Sequence, residues 1–185
     1  NVITKSGKAV ETAGDLDTLL LDKTGTITIG NRKATNFFPT EGVKRDDLVR
    51  YCVLSSLADE TPEGKSIVEL ASPEVVKSLS IQGATMIKFT AETRTSGVNM
   101  PDGSTIRKGA QDTIRQIVVK AGNKFPDDID REVKTISGNG GTPLVVEVNN
   151  RVVGVIELQD IIKPGIRERF DRLRRMGVKT VMVTG

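Results

Sequence analysis

Apolar positions along the chain follow two periods, and the change between them divides the sequence. Near the N-terminus the stretch LDTLLLD, Leu16 to Asp22, sets three leucines together directly before a carboxylate. A continuous apolar run of that length predicts a strand covered on both faces, as in a parallel sheet. Ahead of it, SGKAVETAG predicts a short helix closed by Gly14. Far downstream, KPGIRERFDRLRRMG places Ile166, Phe170, Leu173 and Met176 on one helical face. Gly177 stops that helix, and VKTVMVTG predicts a second buried strand. Helix followed by strand at both ends makes two pieces of one α/β unit.

Between these pieces the pattern changes. DDLVRYCVLSSLA is amphipathic at helical spacing, and ETPEGKSIVELA predicts a helix with Thr61 as N-cap and Pro62 in its first position. ATMIKF and RTSGVNM predict strands, and Asp102-Gly103 marks a tight turn before a further strand, IRKG. QDTIRQIVVKAG and PDDIDREVKTI predict two more helices, the second with Ile129, Val133 and Ile136 in register. PLVVEVNNRVVGVIEL predicts two strands around an Asn149-Asn150 hairpin. Antiparallel hairpins and helices between two α/β pieces predict an inserted domain. The joints are placed near Asn31 and Gln159, giving segments 1–30, 31–159 and 160–185.

Composition narrows the chemistry. The chain has 185 residues, one cysteine (Cys52), no histidine and a formal charge of +3. A lone cysteine excludes an internal disulfide and suits a reducing compartment. Without histidine, a structural zinc site and histidine-based acid–base catalysis fall away. No apolar run approaches the roughly 20 residues of a membrane-spanning helix, and the N-terminus lacks the pattern of a secretory signal. The densest basic run, in α-helical IRERFDRLRRMG, is interrupted by Glu168 and Asp171 and predicts a solvated face. With one tyrosine and no tryptophan there is little on which to stack successive bases, so nucleic acid is not an expected partner. Carboxylates, hydroxyls, amines and backbone remain.

Asp22 is the first candidate. Ligands of open α/β sheets collect at the carboxyl ends of strands, where a following turn presents N–H groups to an anion. A carboxylate there can attack a phosphoryl group and form an acyl phosphate. Lys23 adds positive charge, and Thr24-Gly25-Thr26 leaves room for phosphate oxygens. On local pattern alone, Asp22 is equally a turn cap.

The stretch DKTGT, Asp22 to Thr26, resembles the signature of the P-type ATPases, whose aspartate accepts the γ-phosphate of ATP. Their phosphorylation domain resembles the haloacid-dehalogenase-like phosphatases. Those enzymes usually carry a second aspartate two residues after the nucleophile; here that position is Thr24, which implies a phosphoenzyme that is formed but not rapidly hydrolysed. Within the family, SLADETPEGKSIVELA, KFTAETRTSGVN, IRKGAQDTI, GGTPLVV and GVIELQDIIKPGIRERFDRLRRMG resemble the B subunit of the Kdp-type potassium-transporting ATPases, over nearly the whole chain. The resemblance implies haloacid-dehalogenase-like α/β pieces flanking an inserted α+β nucleotide-binding domain with an antiparallel sheet. It also implies ATP and Mg2+ as cofactors, with Asp22 as phosphate acceptor and Mg2+ ligand and Lys23 and Thr24 beside it.

The same resemblance names an ATP site. Phe89 stacks on adenine, and the segment Phe89, Thr90, Ala91, Glu92, Thr93, Arg94, Thr95, Ser96 walls the nucleotide. Lys108 faces it as a cation, Gly109 permits close backbone approach, and Asp59 and Glu63 reach polar edges of base or ribose. Asp112, one turn beyond Lys108, is expected to orient the ammonium. Read without the family, Phe89 is a core residue of a half-buried strand, Lys108 and Asp112 are an exposed pair, and Asp59 and Glu63 favour a helix N-terminus. With no Walker-type loop, affinity is expected in the micromolar to millimolar range, with adenine preferred.

Expected partners are ATP and, by resemblance, the other Kdp subunits (KdpA, KdpC and KdpF), at the cytoplasmic face of the plasma membrane. The membrane itself would be reached only through segments outside this chain. The family continues past VMVTG into aspartates that complete the Mg2+ site, so the chain is expected to be a cytosolic fragment that binds ATP without turnover. The alternatives are a free-standing dehalogenase-like phosphatase and a non-catalytic nucleotide-binding module.

Overall fold

The protein is described here from a computed structural model covering residues 3–183. The chain forms two compact units: one takes the sequence up to Asn31 and from Asp160 onward, the other Arg32–Gln159.

In the first unit, α1 (Gly7–Gly14) starts at Ser6, whose hydroxyl accepts the Ala9 N–H at 3.2 Å. Strand β1 (Thr18–Asp22) pairs in parallel with β8 (Lys179–Val183), Leu20 opposite Val181 and Asp22 opposite Val183. Between β1 and the next strand lies a five-residue turn, Lys23–Ile27, closed by the Thr28 N–H on the Lys23 carbonyl. Helix α7 (Ile166–Arg175) precedes β8 and half-buries Ile166, Phe170 and Leu173.

Both strands were expected to be covered on two faces, and neither is. Leu19 and Leu21 are partly covered while Leu20 is 66% exposed, and Met182 is 57% exposed. The period-2 alternation of a strand puts neighbouring leucines on opposite faces. The described elements of this unit leave much of both strands uncovered. Met176, expected on the buried stripe of α7, is 70% exposed because it stands past the last helical residue.

The second unit is built on a sheet in the order β2-β7-β6-β5-β4-β3. The strands are β2 (Thr28–Pro39), β3 (Thr85–Ile87), β4 (Thr95–Asn99), β5 (Thr105–Gly109), β6 (Thr142–Val148) and β7 (Arg151–Ile162). From β3 to β7 every pairing is antiparallel. Helices α2 (Arg45–Leu54), α3 (Pro62–Leu70) and α4 (Pro73–Ser78) follow β2, and α5 (Gln111–Lys120) and α6 (Asp127–Gly138) follow β5.

Alternation along the strands feeds two apolar cores. Val146 joins Leu48, Cys52, Ile67 and Ile106, whereas Val145 joins Ile114, Val118, Ile129 and Val133. A break in register between Val146 and Glu147 shifts the partner strand, so Val152 and Val155, three apart, both face the second core. Thr61 caps α3 by accepting the Gly64 N–H at 3.0 Å, with Pro62 in the first position. Ser72 and Pro73 start α4 in the same way, a signal that sequence reasoning passed over.

Candidate functional site

Asp22 stands exposed at the carboxyl end of β1. One carboxylate oxygen accepts the Thr24 N–H at 3.3 Å, a long contact that leaves the other oxygen facing solvent. Gly25 has φ +77°, a conformation that glycine enters freely, and the turn depends on it. Lys23 makes a 2.6 Å ion pair with Asp160, and the Lys163 ammonium donates to the Gly25 carbonyl. Neither Asp160 nor Lys163 was singled out from the sequence. They lie some 140 residues downstream, and no local pattern links them to the turn.

Asp22 thus caps its turn and is exposed at the end of the strand. Among the described residues no three His, Cys, Asp or Glu side chains converge as a metal site. Of the residues from Asp22 to Ile27, only Asp22 offers a carboxylate to Mg2+.

In the second unit, Phe89 lies in the loop between β3 and β4 and is 59% exposed. Its reading as a core phenylalanine of a strand is thereby excluded: the strand ends at Ile87. The ring borders two hollows of about 370 and 380 Å3 that share Asp59, Thr61, Phe89 and Ser96. Glu63, Arg94, Lys108 and Gly109 line the first hollow, whose floor is apolar with Leu144 and Leu158. Met86 and Ile87 line the second.

The loop is ordered by its own threonines. Thr90 Oγ accepts the Thr93 N–H at 3.0 Å, and the Thr90 carbonyl accepts the Arg94 N–H at 2.8 Å. Arg94 is held at φ +49°, rare for a side chain of its size. Thr90, Ala91, Glu92, Thr93 and Thr95 line neither hollow; the first four are exposed, and Thr95 is buried opposite Gly109 in the sheet.

Lys108 departs most from expectation. It lies opposite Ser96 in the β4–β5 pairing and is only 3% exposed. Its ammonium donates to the Ser55 carbonyl at 3.0 Å, the Ser56 hydroxyl at 2.8 Å and the Asp59 carboxylate at 2.8 Å. Burial pushes the lysine below its ordinary pKa, and Asp59 pulls it back upward. Burial raises Asp59 in turn, but the bonds from Lys108 and Thr61 outweigh it and hold the carboxyl below the usual range.

Asp112, expected to orient this ammonium, does not: it is exposed in the first turn of α5, and the three donors are taken elsewhere. The lysine projects from a strand, so the helical i,i+4 spacing assumed for the pair does not apply. Gly109 also has a different reason to be glycine. A Cβ there would stand 2.6 Å from the Arg94 carbonyl oxygen and 2.7 Å from Thr95 Cγ2, so its clearance admits β4 of the same chain.

The whole chain is 54% identical to the potassium-transporting ATPase ATP-binding subunit of Caldanaerobacter subterraneus subsp. tengcongensis and covers 28% of its length. It is 57% identical to the subunit of the same name from Deinococcus radiodurans, again with all of this chain and 27% of that one. Among solved structures, a zinc-transporting PIB-type ATPase in an E2.Pi state is similar at TM-score 0.66 and 26% identity, over 96% of this chain and 27% of that one. The catalytic domain of the CPx-ATPase CopB-B shares the fold at TM-score 0.60 and 19% identity, over 98% of this chain and 59% of its own. The chain spans little more than a quarter of the curated relatives it matches. A family model for haloacid dehalogenase-like hydrolases matches residues 16–185, which include Asp22, its turn and the inserted sheet, and the chain belongs to that family.

Proposed function

We propose that this chain is the ATP-binding cytosolic region of an ATP-driven potassium pump subunit. In the longer protein, ATP phosphorylates Asp22 to give an aspartyl phosphate that is coupled to ion movement. The observation that carries this reading is Phe89, an aromatic ring left exposed at the mouth of an apolar-floored hollow beside a buried lysine. Burying that ring against a flat base is favourable, and stacking of this kind contributes roughly 1–3 kcal/mol. Glu63 and Arg94, with the buried Ser96 in the wall, supply polar contacts to base, ribose or phosphate.

Asp22 attacks the γ-phosphorus through its free oxygen, and ADP leaves with the electron pair of the broken bond. Thr24, two residues on, is a poor general base, so water is not activated at the product. The potassium pathway and the other subunits belong to the longer complex, at a membrane that this chain does not itself reach by any long apolar helix among its described residues.

The test is titration of the chain with ATP, by calorimetry and by chemical shifts. ATP binds in the micromolar to millimolar range and shifts the signals around Phe89, Ser96 and Gly109. Phe89→Ala weakens binding about 5- to 100-fold, whereas Asp22→Asn leaves it within about twofold, since the stacking energy is independent of the acceptor. Unchanged affinity in Phe89→Ala, or equal affinity for GTP, removes the adenine pocket from this hollow.

A further inference from the structure

Strand β2 stands at the edge of the sheet, beside β7. Backbone N–H groups along an edge strand alternate in direction, so those turned away from the neighbour find no partner in the ladder. Where such a group is buried, something outside the sheet must accept its hydrogen. Ala34 is 2% exposed, and its N–H donates to the Ser66 hydroxyl of α3 at 2.9 Å. The same hydroxyl donates to the Glu63 carbonyl at 2.7 Å. One hydroxyl can do both, since it carries one hydrogen and two lone pairs. Ser66 is itself 5% exposed and was not singled out from the sequence.

This bridge fixes more than a helix against a strand. Arg32, two residues before Ala34 on β2, lines the hollow beside Phe89. Glu63 lines the same hollow from the first turn of α3. Two residues of strand span only about 7 Å, so whatever holds Ala34 also sets the place from which Arg32 reaches the hollow. On the helix side the bond falls on the carbonyl of Glu63 itself. Ser66 lines neither hollow. A second contact between the two elements, Lys33 with Glu69 at 3.7 Å, is largely exposed and contributes little in water. Ala34 and Ile67 share one apolar core, but apolar packing is non-directional and does not fix a position as a hydrogen bond does.

We propose that Ser66 is a positioning residue for the nucleotide site: its hydroxyl joins β2 to the first turn of α3 and so sets Arg32 and Glu63, a cation and an acid, in their places around the hollow. It acts through these two walls and does not touch the nucleotide. This role rests on the reading of the hollow as the ATP site. Alanine at position 66 leaves the buried Ala34 N–H without its acceptor. An N–H so placed gains by turning toward water, and that movement shifts the stretch of β2 that carries Arg32.

Calorimetry with ATP and amide exchange at Ala34, both on the whole chain, test this. In Ser66→Ala the Ala34 amide exchanges roughly tenfold faster than in the parent. ATP affinity falls about 3- to 10-fold, because the two wall residues must now be ordered on binding. Ser66→Thr keeps the hydroxyl and retains affinity to within about twofold. Ser66→Cys, of similar size but a weak donor and acceptor, falls between the two and answers the question should Ser66→Ala fail to fold. Ile114→Ala, on the opposite side of the sheet, is destabilised yet binds ATP within about twofold of the parent. With Arg32→Gln and Glu63→Gln both in place, adding Ser66→Ala costs less than about twofold, since the side chains it positions no longer contribute. A loss as large in that background as in the parent overturns the proposal. Binding by the parent with no loss in Ser66→Ala removes this role alone, whereas no binding by the parent at millimolar ATP removes the nucleotide reading with it.

Discussion

Asp128 shows how a single exposed-looking carboxylate can hold two segments together. Its oxygens accept the Thr40 hydroxyl at 3.0 and 2.9 Å and the Glu41 N–H at 2.8 Å, joining the start of α6 to the end of β2. Burial raises its pKa, but these bonds outweigh that and hold the carboxyl below the usual range. A lowered folded-state pKa means stability that is present above the ordinary carboxylate value and lost as pH falls through the lowered one. Asp128→Ala is expected to destabilise the second unit by about 1–3 kcal/mol near neutral pH, and by progressively less in acid. Denaturant melts at two pH values check both parts. Glu147 has the opposite sign. It is 1% exposed, burial raises it, and the Asn150 N–H and Arg107 pull it back. Its ionisation therefore opposes folding as pH rises through the raised value. Glu147→Gln keeps an acceptor for the Asn150 N–H, so it should retain stability to within about 1 kcal/mol at neutral pH.

At the scale of elements, the turns and close approaches do more than the strand lengths. Asn149 and Asn150 take φ +50° and +62°, the pair of left-handed residues that a two-residue hairpin requires. The Asn149 side chain also accepts the Thr105 N–H at 2.8 Å, which ties this hairpin to β5, the strand that carries Lys108. Asn149→Gly loses only the hydrogen bond, whereas Asn149→Ala also meets the left-handed penalty. We expect losses of about 1 kcal/mol for glycine and about 2–3 kcal/mol for alanine, read from thermal melts. Gly97 matters for a different reason. A Cβ there would fall 2.0 Å from the Ile106 carbonyl oxygen, so Gly97→Ala should disrupt the β4–β5 pairing and scatter the amide shifts of Ser96 and Lys108 together.

At the scale of the molecule, the two units differ in how much they bury. The second has an apolar core on each side of its sheet, with Leu48, Ile67, Ile114, Val118 and Val145 fully enclosed. Among the described residues of the first, only Ile27 and Thr28 are buried, and Leu20, Val181, Met182 and Val183 stand exposed along the parallel pair. Local stability follows buried contacts. Amides of β1 and β8 should therefore exchange with solvent orders of magnitude faster than those of β4, β5 and β6. Ile114→Ala should lower the stability of the second unit by about 2–5 kcal/mol and leave exchange in the first unit unchanged. Exchange rates that rise together in both units would show a single cooperative structure instead.

What the sequence determined by itself were features written in neighbouring residues: the helix cap at Thr61, the Asn149-Asn150 hairpin, the helical stripe of α6, and the DKTGT turn behind a strand. Each rests on steric or hydrogen-bonding preferences that act over a few residues, and those preferences survive in the folded chain. Burial was not legible in the same way. LLL predicted a strand covered twice, but how much of a strand is covered depends on which elements lie beside it. The partners of Lys108, some 50 residues away, and those of Lys23, some 140 away, were likewise decided only when the sheet assembled. The same assembly left Phe89 outside the core and turned Asp112 away from the lysine. A charge or an aromatic ring carries no local record of which distant group will meet it, and here that meeting separates a surface residue from a site.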